Sequence, residues 1–133
     1  MRYLLDTHVW FWMDEQVENI GARCLALLEK PEITLFVASV STLEVGQLLY
    51  SGNLFLRSTL EAWVRRSLHE LQLATLDMNH AIASRAYSLP GDFHKDPADR
   101  ILVSTAIEHG LTLITADSRI LRYPHVRSMN ARQ

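Results

Sequence analysis

The fold is decided by the short stretch Tyr3-Leu4-Leu5-Asp6, in which three consecutive apolar residues end at an acidic one. A strand with one solvated face alternates apolar and polar residues, whereas a strand covered on both faces is apolar throughout. We therefore interpret Tyr3 to Leu5 as a strand of a sheet that carries helices on both sides. Further strands are predicted over 33–40, 73–76 and 111–115, and a last edge strand over 126–128.

Helical segments are predicted between these strands. Ile20, Cys24, Leu27 and Leu28 follow the spacing of a helix with one apolar stripe, which Pro31 ends. Other helices are predicted over 41–50, 56–71, 79–89 and 97–108, with a helical turn over 117–121. This alternation predicts an α/β fold, with a central, mostly parallel sheet of four to five strands flanked by helices.

Size and composition favour one cytoplasmic domain. The chain has 133 residues, of which 48% are hydrophobic, and it has no repeat or linker-like stretch, so we expect a single domain over residues 1–133. The single Cys24 excludes an intrachain disulfide, and no segment approaches the roughly 20 apolar residues of a membrane span. The net charge of −2 gives no overall attraction for nucleic acid, so such a substrate would depend on local groups.

Four acidic residues fall near the carboxyl ends of the predicted strands, where α/β sheets bind ligands. Asp6 follows the first strand directly, and Asp117 lies two residues after the fourth. Glu44 lies in the first turn of the helix after the second strand, and Asp99 in the first turn of the helix before the fourth. We therefore expect four segments that are distant in sequence to bring their carboxylates to one rim.

Each acid also has a purely structural interpretation. Ser41 and Glu44 have the spacing of a capping box, and Asp96 stands where an N-cap would begin the helix of the third acid. Asp6 and Asp117 could likewise cap the segments that follow them. Capping explains each acid alone, but it does not explain why all four fall at the ligand-binding edge.

A divalent cation would account for four carboxylates in one pocket. Such groups repel each other, and some would take up protons if no cation were present. Oxygen ligands favour Mg²⁺ or Mn²⁺, and the six histidines show no ligand spacing with these acids. Ions held in this way act chiefly on phosphate substrates. We therefore predict that the metal ligands and catalytic residues are Asp6, Glu44, Asp99 and Asp117.

Four segments, in this order, resemble the signature segments of PIN domains, and most closely those of VapC-type toxins from bacterial toxin–antitoxin pairs. They are Leu4-Leu5-Asp6-Thr7-His8, Ser41-x-x-Glu44, Asp96-Pro97-Ala98-Asp99-Arg100 and Leu113-Ile114-Thr115-Ala116-Asp117. Each segment alone is a weak signal, but the ordered set covers nearly the whole chain and is specific.

The resemblance implies a Rossmann-like PIN domain that acts as a Mg²⁺- or Mn²⁺-dependent ribonuclease, usually as a homodimer. It also implies a toxin that is neutralised by a small VapB-like antitoxin. By position it assigns the metal to the same four acids and places the hydroxyls of Thr7 and Thr115 beside them. Together with these two threonines, the residues expected to support the ligands or contact substrate are Ser41, Asp96 and Arg100.

Other functions fit parts of the pattern. A PIN-type nuclease of RNA maturation or decay would share the site without being a toxin. A receiver-like signalling domain also uses an acidic Mg²⁺ pocket, but it needs a lysine after a late strand, and the only lysines are Lys30 and Lys95. A non-catalytic binding module stays open if the acids are caps alone.

Aromatic residues indicate where a partner could bind. Three in a row, Trp10-Phe11-Trp12, are not expected to reach one core, so we predict two in the core and one half covered. An exposed member would suit an antitoxin or a second subunit. Spare apolar surface is likewise expected around Phe55 and Trp63, whereas His8 is expected to be buried in the helix after the first strand.

Overall fold

The computed structural model describes all residues from Met1 to Gln133 and contains one five-stranded parallel sheet with helices on both faces. The strands are β1 (Arg2–Leu5), β2 (Thr34–Ala38), β3 (Leu73–Leu76), β4 (Thr112–Thr115) and β5 (Ser128–Asn130). The helices are α1 (Thr7–Glu15), α2 (Ala22–Leu28), α3 (Ser39–Tyr50), α4 (Leu60–Glu70), α5 (His80–Ala86), α6 (Pro97–His109) and α7 (Ser118–Leu121), with a 3-10 turn at Val17–Asn19. None of these helices combines the length and hydrophobicity needed to cross a bilayer.

The strand order places the ends of β1 and β4 side by side. The order is β3-β2-β1-β4-β5, and every neighbouring pair is parallel. In register, Leu5 of β1 lies between Val37 of β2 and Ile114 of β4. The chain builds outward from β1 to β3 and then returns to add β4 on the other side, so the switch point lies between β1 and β4. The predicted α/β fold with a mostly parallel sheet is confirmed.

Two apolar layers cover the sheet, which explains why β1 is apolar throughout. Tyr3 and Leu5 point into a layer that includes side chains of α1, α2 and α4. Leu4 points to the opposite layer, which includes side chains of α6 and α7. Both leucines are fully buried. Because successive strand residues face opposite sides, a strand in this position is stabilised by apolar residues at every position.

All three aromatic residues of the α1 cluster are buried, so the prediction that one would be half covered is wrong. Trp10, Phe11 and Trp12 are 1%, 5% and 8% exposed. The reason is that α1 is covered on more than its sheet side. Trp63 of α4 packs against Trp10 and Phe11, with ring centroids 4.8 and 6.0 Å apart. The guanidinium of Arg132 covers Trp12, 4.8 Å from its ring.

The segment around α4 exposes less apolar surface than expected. Trp63 is buried, and its indole Nε1 donates a hydrogen bond to the carboxylate of Asp14 at 2.7 Å. Phe55, by contrast, is 79% exposed. Trp63 therefore stabilises the core and is closed to a partner, and Phe55 is the large apolar side chain that remains accessible in this segment.

Several element boundaries differ from the sequence prediction. Helix α3 begins at Ser39 after Ala38, which provides no side-chain cap, so Ser41 is not an N-cap. Helix α4 begins only at Leu60, because the Thr59 side chain accepts the backbone N–H of Ala62 and sets the start there. The edge strand β5 lies two residues later than predicted, since its short, half-buried sequence carries little apolar pattern.

Candidate metal site

Asp6 is buried at the junction of β1 and α1, and both of its carboxylate oxygens are held. Its Oδ1 accepts the backbone N–H of Thr7 at 2.7 Å, and its Oδ2 accepts the hydroxyl of Thr115 at 2.6 Å. The same Thr115 hydroxyl accepts the backbone N–H of Asp117 at 3.0 Å. Burial raises the pKa of Asp6 above its ordinary value, although both hydrogen bonds lower it. The adjacent strands β1 and β4 thus fix this carboxylate between them.

Glu44 reaches the same edge from within α3. The Thr7 hydroxyl is hydrogen-bonded to Glu44 Oε1, and it lies 2.8 Å from the hydroxyl of Ser41. Ser41 is buried and is used for this contact, so the capping-box interpretation of Ser41 and Glu44 is wrong. Burial chiefly, together with the charges of Asp6 and Asp96, raises the pKa of Glu44 to about 7.

Asp99 enters from the first turn of α6. Its backbone N–H donates to the Asp96 side chain at 2.9 Å, so Asp96 is the N-cap of this helix, as its position in the sequence predicts. The side chain of Asp99 is free of that capping role and is only 10% exposed. Burial chiefly, and then the charges of Asp6, Asp96 and Glu44, raises the pKa of Asp99 to about 8.

Three of the four predicted acids form a tight group. Carboxylate oxygens of Asp6, Glu44 and Asp99 all lie within 4.8 Å of one another. The raised pKa values of these groups reflect burial chiefly, and mutual repulsion of the carboxylates adds to it for Glu44 and Asp99. An oxygen-only donor set of this kind fits a hard divalent cation, which would favour the ionised form of each group.

Asp117 lies beside this group and has a different environment. It caps α7 and accepts the backbone N–H of Arg119 at 2.7 Å and its Nη2 at 3.0 Å. Burial raises the pKa of Asp117, but the hydrogen bonds and charge of Arg119 outweigh it, so the pKa lies below its ordinary value. Its close carboxylate neighbour is Asp99, in a second group that also includes His94. The structure therefore separates Asp117 from the group formed by Asp6 and Glu44.

His94 contacts the acids of the site, a role that the sequence analysis did not assign to it. Its Nε2 lies 3.1 Å from Asp99 Oδ2, and its Nδ1 is 3.4 Å from the backbone nitrogen of Asp96. Burial chiefly, and then the charge of Arg119, lowers the pKa of His94. The only available signal was its place two residues before the Asp96 helix start, and that spacing does not reveal a tertiary contact with Asp99.

Arg100 supports this histidine from behind and does not line the pocket. Its guanidinium donates to the backbone carbonyls of Ala86 at 2.7 Å and of Phe93 and His94 at 3.0 Å each. It also packs over the ring of Tyr87, 5.1 Å from its centroid. The Nε and Nη1 donors of Arg100 thus tie the end of α5 to the segment that carries His94, so Arg100 supports the site from outside the pocket.

These residues surround an open pocket of about 490 Å³. It is lined by Asp6, His8, Trp12, Glu44, Asp96, Asp99, Ala116, Asp117, Arg119 and Arg132. Buried Thr7, Ser41 and Thr115 lie behind the acids. The prediction that His8 is buried is wrong, since it lies on the open side of α1 next to the acids. Arg132 was missed because it follows β5, far in sequence from every motif.

A parallel sheet with helices on both faces and an acidic pocket at its switch point places this chain among the α/β proteins, whose ligands bind at this edge of the sheet. The sequence model of the PIN domain matches residues 3–126. The chain belongs to the PIN-domain family, as the four signature segments indicate.

Known relatives agree with this assignment along nearly the whole chain. Ribonuclease VapC22 from Mycobacterium tuberculosis is 31% identical over 124 residues, which cover 93% of each protein. The fold is similar to that in VapBC2 from Rickettsia felis bound to a promoter DNA fragment, with a TM-score of 0.67, 20% identity and 98% of each chain covered. VapBC-1 from nontypeable Haemophilus influenzae gives a TM-score of 0.63 at 16% identity, with 100% of both chains covered.

Proposed function

We propose that this protein is a metal-dependent ribonuclease whose metal is held by Asp6, Glu44 and Asp99, with Asp117 completing the site. The observation that carries the proposal is the convergence of three buried carboxylates within 4.8 Å at the switch point of the sheet. RNA as the substrate is supported by the 31% identity to a ribonuclease over most of the chain. The reaction is hydrolysis of a phosphodiester bond.

The donor chemistry favours Mg²⁺ or Mn²⁺ as the ion. Asp6, Glu44 and Asp99 offer only carboxylate oxygens, and the sole cysteine of the chain, Cys24, is buried away from the pocket. Such an ion, when bound, polarises a phosphoryl oxygen and lowers the pKa of a coordinated water. The chain itself therefore has to position the acids and the RNA, and needs no covalent nucleophile.

The surrounding residues orient the acids for this task. Thr7 and Thr115 hold one oxygen of Glu44 and one of Asp6, respectively, through their hydroxyls. Glu44 keeps its second oxygen free of hydrogen bonds, so it can complete the ligand set or orient the attacking water. Arg119 balances the charge of Asp117 and lies 3.7 Å from Asp99, so it limits the negative charge at the mouth of the pocket.

The physiological role that we propose is the toxin of a toxin–antitoxin pair, acting in the cytoplasm as a homodimer and neutralised by a cognate VapB-like antitoxin. The relative at 31% identity is the ribonuclease VapC22, and the solved proteins of similar fold include VapBC2 from Rickettsia felis and a toxin–antitoxin complex from Klebsiella pneumoniae. A nuclease of RNA processing with the same site is the competing role.

Inducible expression in a bacterial host tests this role. Growth arrest and RNA fragments are expected from the native chain and from Asp77→Asn, which changes an exposed carboxylate outside the pocket. Asp6→Asn should allow normal growth, because the amide removes one ligand charge from the buried site. Arrest by Asp6→Asn equal to that of the native chain would refute the assignment, and normal growth with all three proteins would favour the processing role.

A further inference from the structure

Arg132 lies at the rim of the acidic pocket and forms no ion pair there. Its guanidinium stacks 4.8 Å over the ring of Trp12, and it lines the pocket together with Arg119. Arg119 is engaged, since its Nη2 lies 3.0 Å from Asp117 and 3.7 Å from Asp99. Of the two arginines at the pocket, one is thus neutralised by the acids and the other keeps its positive charge available.

The backbone around Arg132 is held in place against the start of α2. The backbone N–H of Gly21 donates to Ala131 O and that of Arg23 donates to Gln133 O, both at 2.8 Å. The approach is so close that a Cβ at Gly21 would lie 2.3 Å from the carbonyl oxygen of Arg132. Glycine at this position therefore allows the contact, and the guanidinium is delivered to the pocket from a fixed segment.

Stacking on an aromatic face leaves the binding capacity of an arginine intact. The N–H donors of a guanidinium lie in its plane, so a ring that packs against its face does not use them. The hydrogen bond that Arg132 donates to the Asn130 side chain comes from its backbone N–H, so it does not use the guanidinium donors. A planar, pre-ordered fork with free donors matches the oxygens of a phosphate in two-point contact. The geometry therefore provides an anion site beside a cation site.

We propose that Arg132 binds a phosphate of the RNA strand that enters the acidic pocket, and so positions the backbone for cleavage. This inference rests on the proposed ribonuclease function of the same pocket. A phosphodiester chain is the ligand that needs both features at once, because one of its phosphates meets the metal-binding acids while a neighbouring phosphate remains to be neutralised. The net charge of −2 makes this local cation important, since the chain as a whole does not attract RNA.

Equilibrium binding of a fluorescent single-stranded RNA tests the inference in proteins that all carry Asp99→Asn to prevent cleavage. Arg132→Ala should weaken binding about tenfold, because it removes a charge-assisted contact. It should also reduce the slope of log affinity against log salt concentration by about 0.7, the contribution of one phosphate contact on a single strand. Arg132→Lys should keep the salt slope and lose part of the affinity, because it keeps the charge and loses the planar fork.

Arg65→Ala is the matched control, because Arg65 is an exposed arginine on α4 outside the pocket. It removes the same charge from the chain and should leave RNA affinity and salt slope unchanged. Equal weakening by Arg132→Ala and Arg65→Ala, an unchanged salt slope, or no RNA binding at all would overturn the inference. Failure of the nuclease proposal gives a different result: no metal-dependent RNA cleavage by the chain with Asp99 intact, with the Arg132 effect on binding retained.

Discussion

Two buried threonine hydroxyls hold the acids of the site in place. Thr115 donates to Asp6 Oδ2 at 2.6 Å and accepts the backbone N–H of Asp117, so it joins the ends of β1 and β4. Thr7 joins α1 to α3 through Ser41 and Glu44. A hydroxyl can donate and accept at once, which is why one small side chain can fix two segments. The positions of the clustered carboxylates thus depend on residues that do not line the pocket.

Replacement of Thr115 by valine tests this dependence. The change preserves shape, but it leaves Asp6 Oδ2 and the Asp117 N–H without their partner. We expect a loss of stability of about 1–3 kcal/mol and a loss of Mn²⁺ affinity of about 10- to 100-fold. Denaturant unfolding and calorimetric Mn²⁺ titration would measure these effects. Thr115→Ser keeps the hydroxyl and should restore most of the affinity, whereas equal affinity in the valine and native proteins would argue against this role.

At the scale of elements, helix capping and site formation are combined in the same residues. Asp6, Asp96 and Asp117 are the N-caps of α1, α6 and α7, and each helix begins at the pocket. The partial positive charge of a helix N-terminus stabilises nearby carboxylates. Glu44 and Asp99 have no capping role, so their carboxylates are available to the pocket. Capping a helix and lining the pocket are therefore compatible roles, and Asp6, Asp96 and Asp117 have both.

Local patterns explain which elements could be predicted from the sequence. The uniformly apolar β1 and the helix predicted over 97–108 rest on local signals, and both are found, with α6 ending at the left-handed Gly110. The start of α3 was missed, because Ala38 gives no capping signal and Ser41 imitates one. A cap is recognised by residue type, and residue type does not show whether the side chain bonds its own helix or another segment.

The sequence predicted only those residues of the site that belong to its motifs. The motifs predict that Asp6, Glu44 and Asp99 lie close together, because the ends of parallel strands share one edge of the sheet. The structure does bring these three carboxylates together. His94 and Arg132 depend on tertiary contacts with Asp99 and Trp12, which leave no periodic trace in the sequence. Packing from several directions, and not local pattern, decides their positions.

At the scale of the whole molecule, we expect the acidic pocket to make the free energy of unfolding depend on pH and on a bound metal. Glu44 and Asp99 have pKa values raised to about 7 and 8, so the folded protein binds their protons more tightly than the unfolded chain does. The stability that comes with these protons is fully present below the unfolded pKa values and is lost as the pH rises through 7 and 8. A bound divalent cation would reverse this loss, because it favours the ionised acids.

Thermal melting from pH 6.5 to 8 measures this coupling. The range begins at the ordinary pKa of His94, which is 6.5, and burial lowers the pKa of His94 further, so this histidine contributes little to the change. We expect the Tm of the metal-free protein to fall by about 5 °C over this interval, and Mg²⁺ or Mn²⁺ to restore it. Asp99→Asn should show a flatter profile and little response to metal, because the amide neither titrates nor repels. A Tm that rises with pH in the metal-free native protein, or equal metal responses in the two proteins, would contradict the account.

The proposed ribonuclease requires a divalent cation that Asp6, Glu44 and Asp99 hold. The most direct test is the rate at which the purified protein cleaves single-stranded RNA as Mn²⁺ is added back after chelation, for the native chain, Asp99→Asn and the control Asp77→Asn. We expect no cleavage without metal, activation of the native chain and the control, and at least about 100-fold less activity in Asp99→Asn, since a lost ligand should cost no less than a lost supporting contact. Cleavage that persists in chelator, or equal activation of Asp99→Asn and the native chain, would contradict this requirement.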